Sequence, residues 1–95
     1  MSRHYIKHED GAHGWFAVPR LELKQLGIET QVSRFSYQKN GTVYLEEDCD
    51  ALKLFKLLKE KNVLVNVTDG GVDEKLTDGK VRLSSRALAM NHGVQ

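Results

Sequence analysis

The chain has 95 residues, of which 40% are hydrophobic and 28% charged, with a formal net charge of +1 and a single cysteine. That is the composition of one globular domain with room for a single small core. It excludes an internal disulfide, a long apolar membrane span, and the marked basic or acidic excess of a dedicated nucleic-acid binder or a DNA mimic. Met1-Ser2-Arg3 opens no signal-peptide pattern, and a lone thiol fits a reducing compartment, so a cytoplasmic location is expected.

In chain order, residues 3–8 (RHYIKH) alternate weakly and predict a first strand, and 9–14 (EDGAHG) a polar, glycine-bearing turn. Residues 15–18 (WFAV) predict a second, more buried strand. Pro19 stands where a first helical residue tolerates having no N–H, and Gly27 where a left-handed residue ends a helix. The two bracket a short helix with Leu23 and Leu26 on one face, and Ile28 is the expected hydrophobic partner of the cap.

Residues 33–61 carry the strongest signals. Phe35, Tyr37, Val43 and Leu45 alternate as in a half-buried hairpin. Asn40-Gly41 invites a two-residue type I′ turn, which sets Tyr37 opposite Tyr44 and Phe35 opposite Glu46. A three-residue loop, with Gly41 left-handed as a bulge, pairs Tyr37 with Val43 and Phe35 with Leu45, and burial favours that register. Asp48 or Asp50 then caps a helix over 51–61, with acidic residues at its start and Lys56, Lys59 and Lys61 towards its end. Ala51, Leu54, Phe55 and Leu58 form its buried stripe, and Leu52 and Leu57 widen it. The extra width fits either a deeply seated helix or a second apolar flank open to a partner or to a twin subunit, as in a homodimer through this helix.

Residues 63–67 (VLVNV) predict an interior strand, 68–79 a flexible segment rich in glycine and acidic side chains, and Val81 with Leu83 a last strand. Residues 85–90 lean towards one helical turn. The order ββα-ββα-ββ is that of an α+β fold, a mostly antiparallel sheet of hairpins with helices packed on one face.

Chemistry is sparse. His4 and His8 would lie about 13 Å apart on a strand at roughly 3.3 Å per residue, too far to share an ion, and His13 and His92 could join either of them only through the fold. Cys49 has a helix N-terminus in its favour as a nucleophile, but acidic neighbours and no histidine motif. Glu46, Glu47, Asp48 and Asp50 form an acidic cluster suited to a cation or a basic partner, although capping explains part of it. Residues 69–74 lack the ligand pattern of a calcium loop. With no phosphate loop, dinucleotide fingerprint, nucleophile elbow or zinc pattern, neither enzymatic activity nor a cofactor is expected. Trp15 and Phe16 are adjacent in a strand and cannot share a face. Either both sides are covered or one ring is open to recognition.

The features His13-Gly14-Trp15, Val18-Pro19-Arg20, Leu26-Gly27-Ile28, Ser36-Tyr37-Gln38 and the run from Val43 to Asp50 resemble a group of small uncharacterised proteins of bacteriophages, prophages and plasmids. The resemblance covers the first half of the chain. It implies a setting, the bacterial host cell, in which such proteins bind host machinery, including CRISPR and other defence systems. Together with the missing catalytic motifs and the wide helix stripe, this leads to the expectation of a non-enzymatic protein that binds a host protein or complex. Residue chemistry then makes Trp15 and Tyr44 the expected aromatic anchors and Glu46, Glu47 and Asp48 the charged rim. Val18-Pro19-Arg20 and Leu26-Gly27-Ile28 are also similar to the swapped-hairpin AbrB and MazE family. That likeness implies a dimeric DNA-binding regulator or antitoxin using Arg20, Lys24 and Arg34, although the family's Gly-Asp turn is replaced by Glu29-Thr30-Gln31.

Overall fold

The computed structural model describes residues 1–76 and the strand Val81–Arg82. Six strands and two helices follow one another as β1 (Ser2–Glu9), β2 (Gly14–Pro19), α1 (Arg20–Gln25), β3 (Tyr37–Lys39), β4 (Thr42–Glu46), α2 (Asp50–Glu60), β5 (Leu64–Val72) and β6 (Val81–Arg82), with a 3-10 turn at Glu29–Gln31. They build one sheet in the order β5-β1-β2-β4-β3-β6. The β1–β5 pairing is parallel and every other pairing among the described strands is antiparallel, so the expected α+β class and hairpin order hold.

Local chemistry explains most turns. The Asp10 carboxylate accepts hydrogen bonds from the backbone of Ala12 at 2.9 Å and His13 at 2.8 Å, closing the β1–β2 hairpin. Those same bonds hold its pKa below the ordinary value. Pro19 ends β2 and precedes the first helical residue instead of occupying it. At the other end of α1, Ile28 N–H donates to the Leu23 carbonyl at 3.1 Å and Gly27 N–H to that of Lys24 at 3.1 Å, with Gly27 at φ 75°. This is a Schellman cap, and Ile28 and Leu23 are both buried as its hydrophobic contact requires.

Helix α2 closes in the same way without a glycine. Val63 N–H donates to the Leu58 carbonyl at 2.9 Å and Asn62 N–H to that of Lys59 at 3.0 Å, with Asn62 at φ 59°. Asparagine tolerates the left-handed region better than other side chains bearing a Cβ, which is why it can stand where glycine is usual.

The hairpin adopts the two-residue turn and not the three-residue loop. Asn40 and Gly41 both have positive φ, at 51° and 80°, and Tyr37 faces Tyr44. A type I′ turn matches the twist of the flanking strands. The apolar set is split as that register requires, with Phe35 outside β3 and 52% exposed. Ser36 takes the interior place next to it.

That exchange depends on Asp50. Neither Asp48 nor Asp50 caps α2: Cys49 is the N-cap residue, without a side-chain cap bond, and Asp50 is the first helical residue. Its buried carboxylate reaches back to the loop before β3, accepting from Ser33 N–H at 3.0 Å, Ser33 Oγ at 2.7 Å and Ser36 Oγ at 2.5 Å. Lys53 Nζ adds an ion pair at 3.1 Å. Ser36 Oγ in turn accepts from Glu46 N–H at 3.0 Å, so one carboxylate joins helix, loop and β4.

Strands β4 and β5 run parallel, with β2 and β1 between them, so α2 is the crossover that spans the middle of the sheet. Ala51, Leu54 and Leu58 are completely buried against Tyr5, Phe16, Val18, Val43 and Leu45, while Leu23, Ile28 and Val32 close the same layer. Phe55 and Leu57 pack on its margin, which accounts for most of the wide stripe. Leu52 stands apart at 56% exposure, a narrow basis for a dimer through this helix.

Two expectations fail at β5. The valine-rich strand is not interior but the edge of the sheet formed by the described strands, and most of its side chains are exposed. It also continues to Val72, through a stretch expected to be flexible. Pairing slips between Lys7↔Asp69 and Glu9↔Val72, so β5 bulges at Gly70 and Gly71. A Cβ on Gly70 would come within 2.8 Å of Ile6 Cγ2, and Gly71 has φ 82°. These glycines serve close strand packing and a bulge, and are not loop punctuation. Leu83 and residues 85–90 lie outside the described residues.

Two expected outcomes follow. Asn62→Ala loses about 1 kcal/mol in chemical denaturation, and Asn62→Gly does not. Asp50→Ala loses about 3 kcal/mol near neutral pH, because buried donors are left without an acceptor. Burial opposes ionisation of Asp50, but the bonds from Ser36, Ser33 and Lys53 outweigh it and hold the pKa below 3.8. A depressed carboxylate stabilises above its unfolded pKa and ceases to as pH falls through the folded one. The gap between wild type and Asp50→Ala therefore narrows only in acid below pH 3.8, measured as a denaturation-midpoint series.

Candidate functional site

Strand alternation divides the sheet into two faces. Phe16 and Val18 point towards α2, where the Phe16 and Phe55 rings meet edge-on at 4.8 Å. Trp15 and Ala17 therefore point to the opposite face, where their cross-strand partners on β4 are Glu46 and Tyr44. Both aromatics of the Trp15-Phe16 pair are buried, on opposite sides of the sheet.

Trp15 is only 4% exposed. His13 packs against it at 5.8 Å and Tyr37 at 6.0 Å, the latter edge-on. It cannot serve as a protruding anchor; it is a floor. Its indole Nε1–H is buried and has no hydrogen-bond acceptor among the described residues. Tyr44, half-buried, lies on the same face with His8 at 6.0 Å.

Where β4 ends, the carboxylates of Glu46, Glu47 and Asp48 each place an oxygen within 4.8 Å of the others. Glu47 pairs with Lys7 at 3.2 Å, which raises the lysine pKa. Gly14 permits that pair, since a Cβ there would stand 2.6 Å from Glu47 Oε2 and 2.8 Å from Lys7 Cε. Glu46 Oε2 accepts from Asp48 N–H at 3.0 Å. The carboxylate of Glu47 is thus compensated locally, while Glu46 and Asp48 carry the cluster's negative field.

These two carboxylates line a cleft of about 300 Å³ with His13, Trp15, Phe35 and Cys49. Aromatic walls with carboxylates at the mouth suit a cation on an apolar stem, as in a lysine or arginine side chain. The oxygens of such a cluster would also tolerate a hard divalent ion, but among the described residues only Lys7 and the Asp48 N–H hold them. Cys49 and His13 share the cleft, yet no hydrogen bond joins thiol to imidazole, as an activated nucleophile needs.

Of the five residues singled out from sequence, the fold brings Trp15, Glu46 and Asp48 to one cleft and sets Glu47 and Tyr44 beside it. Phe35 completes the wall, although its alternation with Tyr37 suggested core. Alternation did not find it, because the β3–β4 ladder stops at Tyr37↔Tyr44 and Phe35 lies in the turn before it. The basic set fares differently. Arg20 Nε donates to Glu29 Oε2 at 3.0 Å in a largely buried pair, tying α1 to the 3-10 turn. Lys24 and Arg34 are exposed. His4 Nε2 lies 2.5 Å from Thr68 Oγ1 across the β1–β5 pairing, which accounts for it structurally. His92 lies outside the described residues.

No family model, curated protein or solved structure matches the chain. No described helix is long and apolar enough to cross a membrane.

Glu46→Gln and Asp48→Asn are expected to change stability by less than about 0.5 kcal/mol each, because lost repulsion offsets lost attraction to the α2 dipole. Equilibrium denaturation checks this. A larger loss would mean that the cluster is structural.

Proposed function

We propose that the chain is a small, non-enzymatic binding protein that docks on another protein by receiving a lysine or arginine side chain in the cleft between Trp15, Phe35, Glu46 and Asp48. The single observation behind this reading is the cleft's composition: an apolar aromatic interior with two carboxylates at its mouth that have no ion pair among the described residues. A buried cation–aromatic contact contributes more than an exposed one, and charge around the rim speeds encounter. Taken with the resemblance to phage, prophage and plasmid proteins, the partner class is a basic surface on host machinery in the cytoplasm of a bacterium. A component of a defence system such as CRISPR is the specific form of the proposal. A basic surface is what such a component presents wherever it handles nucleic acid.

The test is capture of partners by the tagged chain from lysate of a defence-proficient bacterium, with and without nuclease, beside the Glu46→Gln/Asp48→Asn double variant. The expected result is one protein or complex retained after nuclease and lost with the double variant. With that partner purified, emission of Trp15, the single tryptophan of the chain, should shift on binding. Recovery that depends on nucleic acid, unaffected by the double variant and steeply weakened by salt, would instead support the AbrB-like reading.

A further inference from the structure

The outer edge of β5 is unpaired among the described strands, and it lacks the usual protections. From Leu64 to Thr68 it carries no charge and no proline, the residues by which edge strands ordinarily resist pairing. The bulge at Gly70 and Gly71 blunts only the far end, leaving residues 64–69 regular. The core layer also stops short of this edge. Val65 and Val67 lie level with Arg3 and Tyr5 on the helix side of the sheet, and Val67 is 48% exposed. Between them and α2 runs an apolar groove of about 630 Å³, lined by Phe55, Lys59, Val63, Val65 and Val67 among others.

We infer that this edge is completed by β5 of a second copy, running antiparallel about a two-fold axis, so that two six-stranded sheets become one. Charge selects both the partner and the direction. Lys59 and Lys61 outnumber Glu60 before the strand, whereas Asp69, Asp73 and Glu74 outnumber Lys75 at its far end, and none of these has an ion pair with a described residue. Antiparallel self-pairing sets the basic end of each copy beside the acidic end of the other. Parallel pairing would set like beside like.

Backbone geometry narrows the register. Outward-pointing N–H and C=O groups alternate along β5, so directly opposed residues must be of equal parity and the axis must pass through a residue. An axis at Asn66 sets Val65 opposite Val67 of the other copy twice over, and Leu64 opposite Thr68. It closes both apolar grooves into one shared layer. An axis at Val67 would instead oppose Val65 to Asp69. The inference is independent of the cleft at Trp15, which lies on the opposite face of the sheet from the groove.

Sedimentation velocity of the full chain, over concentrations reaching the millimolar range, is the test. The wild type should be dimeric and weaken with added salt. Lys59→Gln/Lys61→Gln should weaken the dimer about ten-fold by loss of complementary charge. Val67→Lys should weaken it about a hundred-fold, since it buries two uncompensated charges, and leave the circular-dichroism spectrum unchanged because Val67 is an exposed edge residue. Leu52→Lys, on the outer flank of α2, should have no effect on association. A monomeric wild type overturns the inference. So does a dimer that Val67→Lys leaves intact or Leu52→Lys dissolves.

Discussion

The buried carboxylate of Asp50 is the constraint on which the rest of the molecule depends. It is the first residue of α2, yet apart from the Lys53 ammonium its donors are Ser33 and Ser36 in the loop before β3 and not the backbone of its own helix. The loop before β3 is therefore fastened to the start of α2, and Ser36 passes the connection on to β4 through the Glu46 backbone. Because burying an ionised group is unfavourable unless every oxygen is satisfied, the arrangement is sensitive to geometry. It holds Ser36 inside and leaves Phe35 outside, and that choice carries the hairpin into its I′ register.

The crossover formed by β4, α2 and β5 has two consequences. Spanning β2 and β1, α2 buries one full stripe and leaves little apolar surface on its outer flank. It also delivers β5 to the free side of β1, in parallel, where nothing described lies beyond it. A valine-rich strand is thereby placed at an edge, and the apolar layer between helix and sheet is left open on that side. The proposed two-fold pairing closes it by continuing the sheet.

The opposite face of the sheet has a different character. No described helix covers it, and its aromatic side chains cover one another: Trp15 beneath His13 and Tyr37, Tyr44 beside His8. Acidic residues crowd the end of β4, since a helix N-terminus begins immediately afterwards and its positive dipole favours them. The aromatic layer and the acidic cluster meet in one cleft because Trp15 and Glu46 are cross-strand partners. The proposed binding role rests on that junction.

What the sequence determined by itself was local. Alternation in β1, β2 and β4, the Gly27 cap with Ile28, and the stripe Ala51, Leu54 and Leu58 were legible because each depends on residues a few positions apart, within reach of a single turn or strand. Even the acidic cluster was visible as a run. Tertiary structure decided whatever depended on distant partners. Asp50 looks like a cap until Ser33 and Ser36 are brought to it. Phe35 looks like core until Ser36 takes the interior. Residues 68–72 look like loop until β1 supplies a ladder for Gly70 to pack against. Residues 63–67 look interior because valine favours strands wherever they stand, and composition carries no information about which neighbour a strand lacks. Pairing order in a sheet is a property of the closed chain, and it is that order which placed a cleft on one face and left one edge unpaired among the described strands.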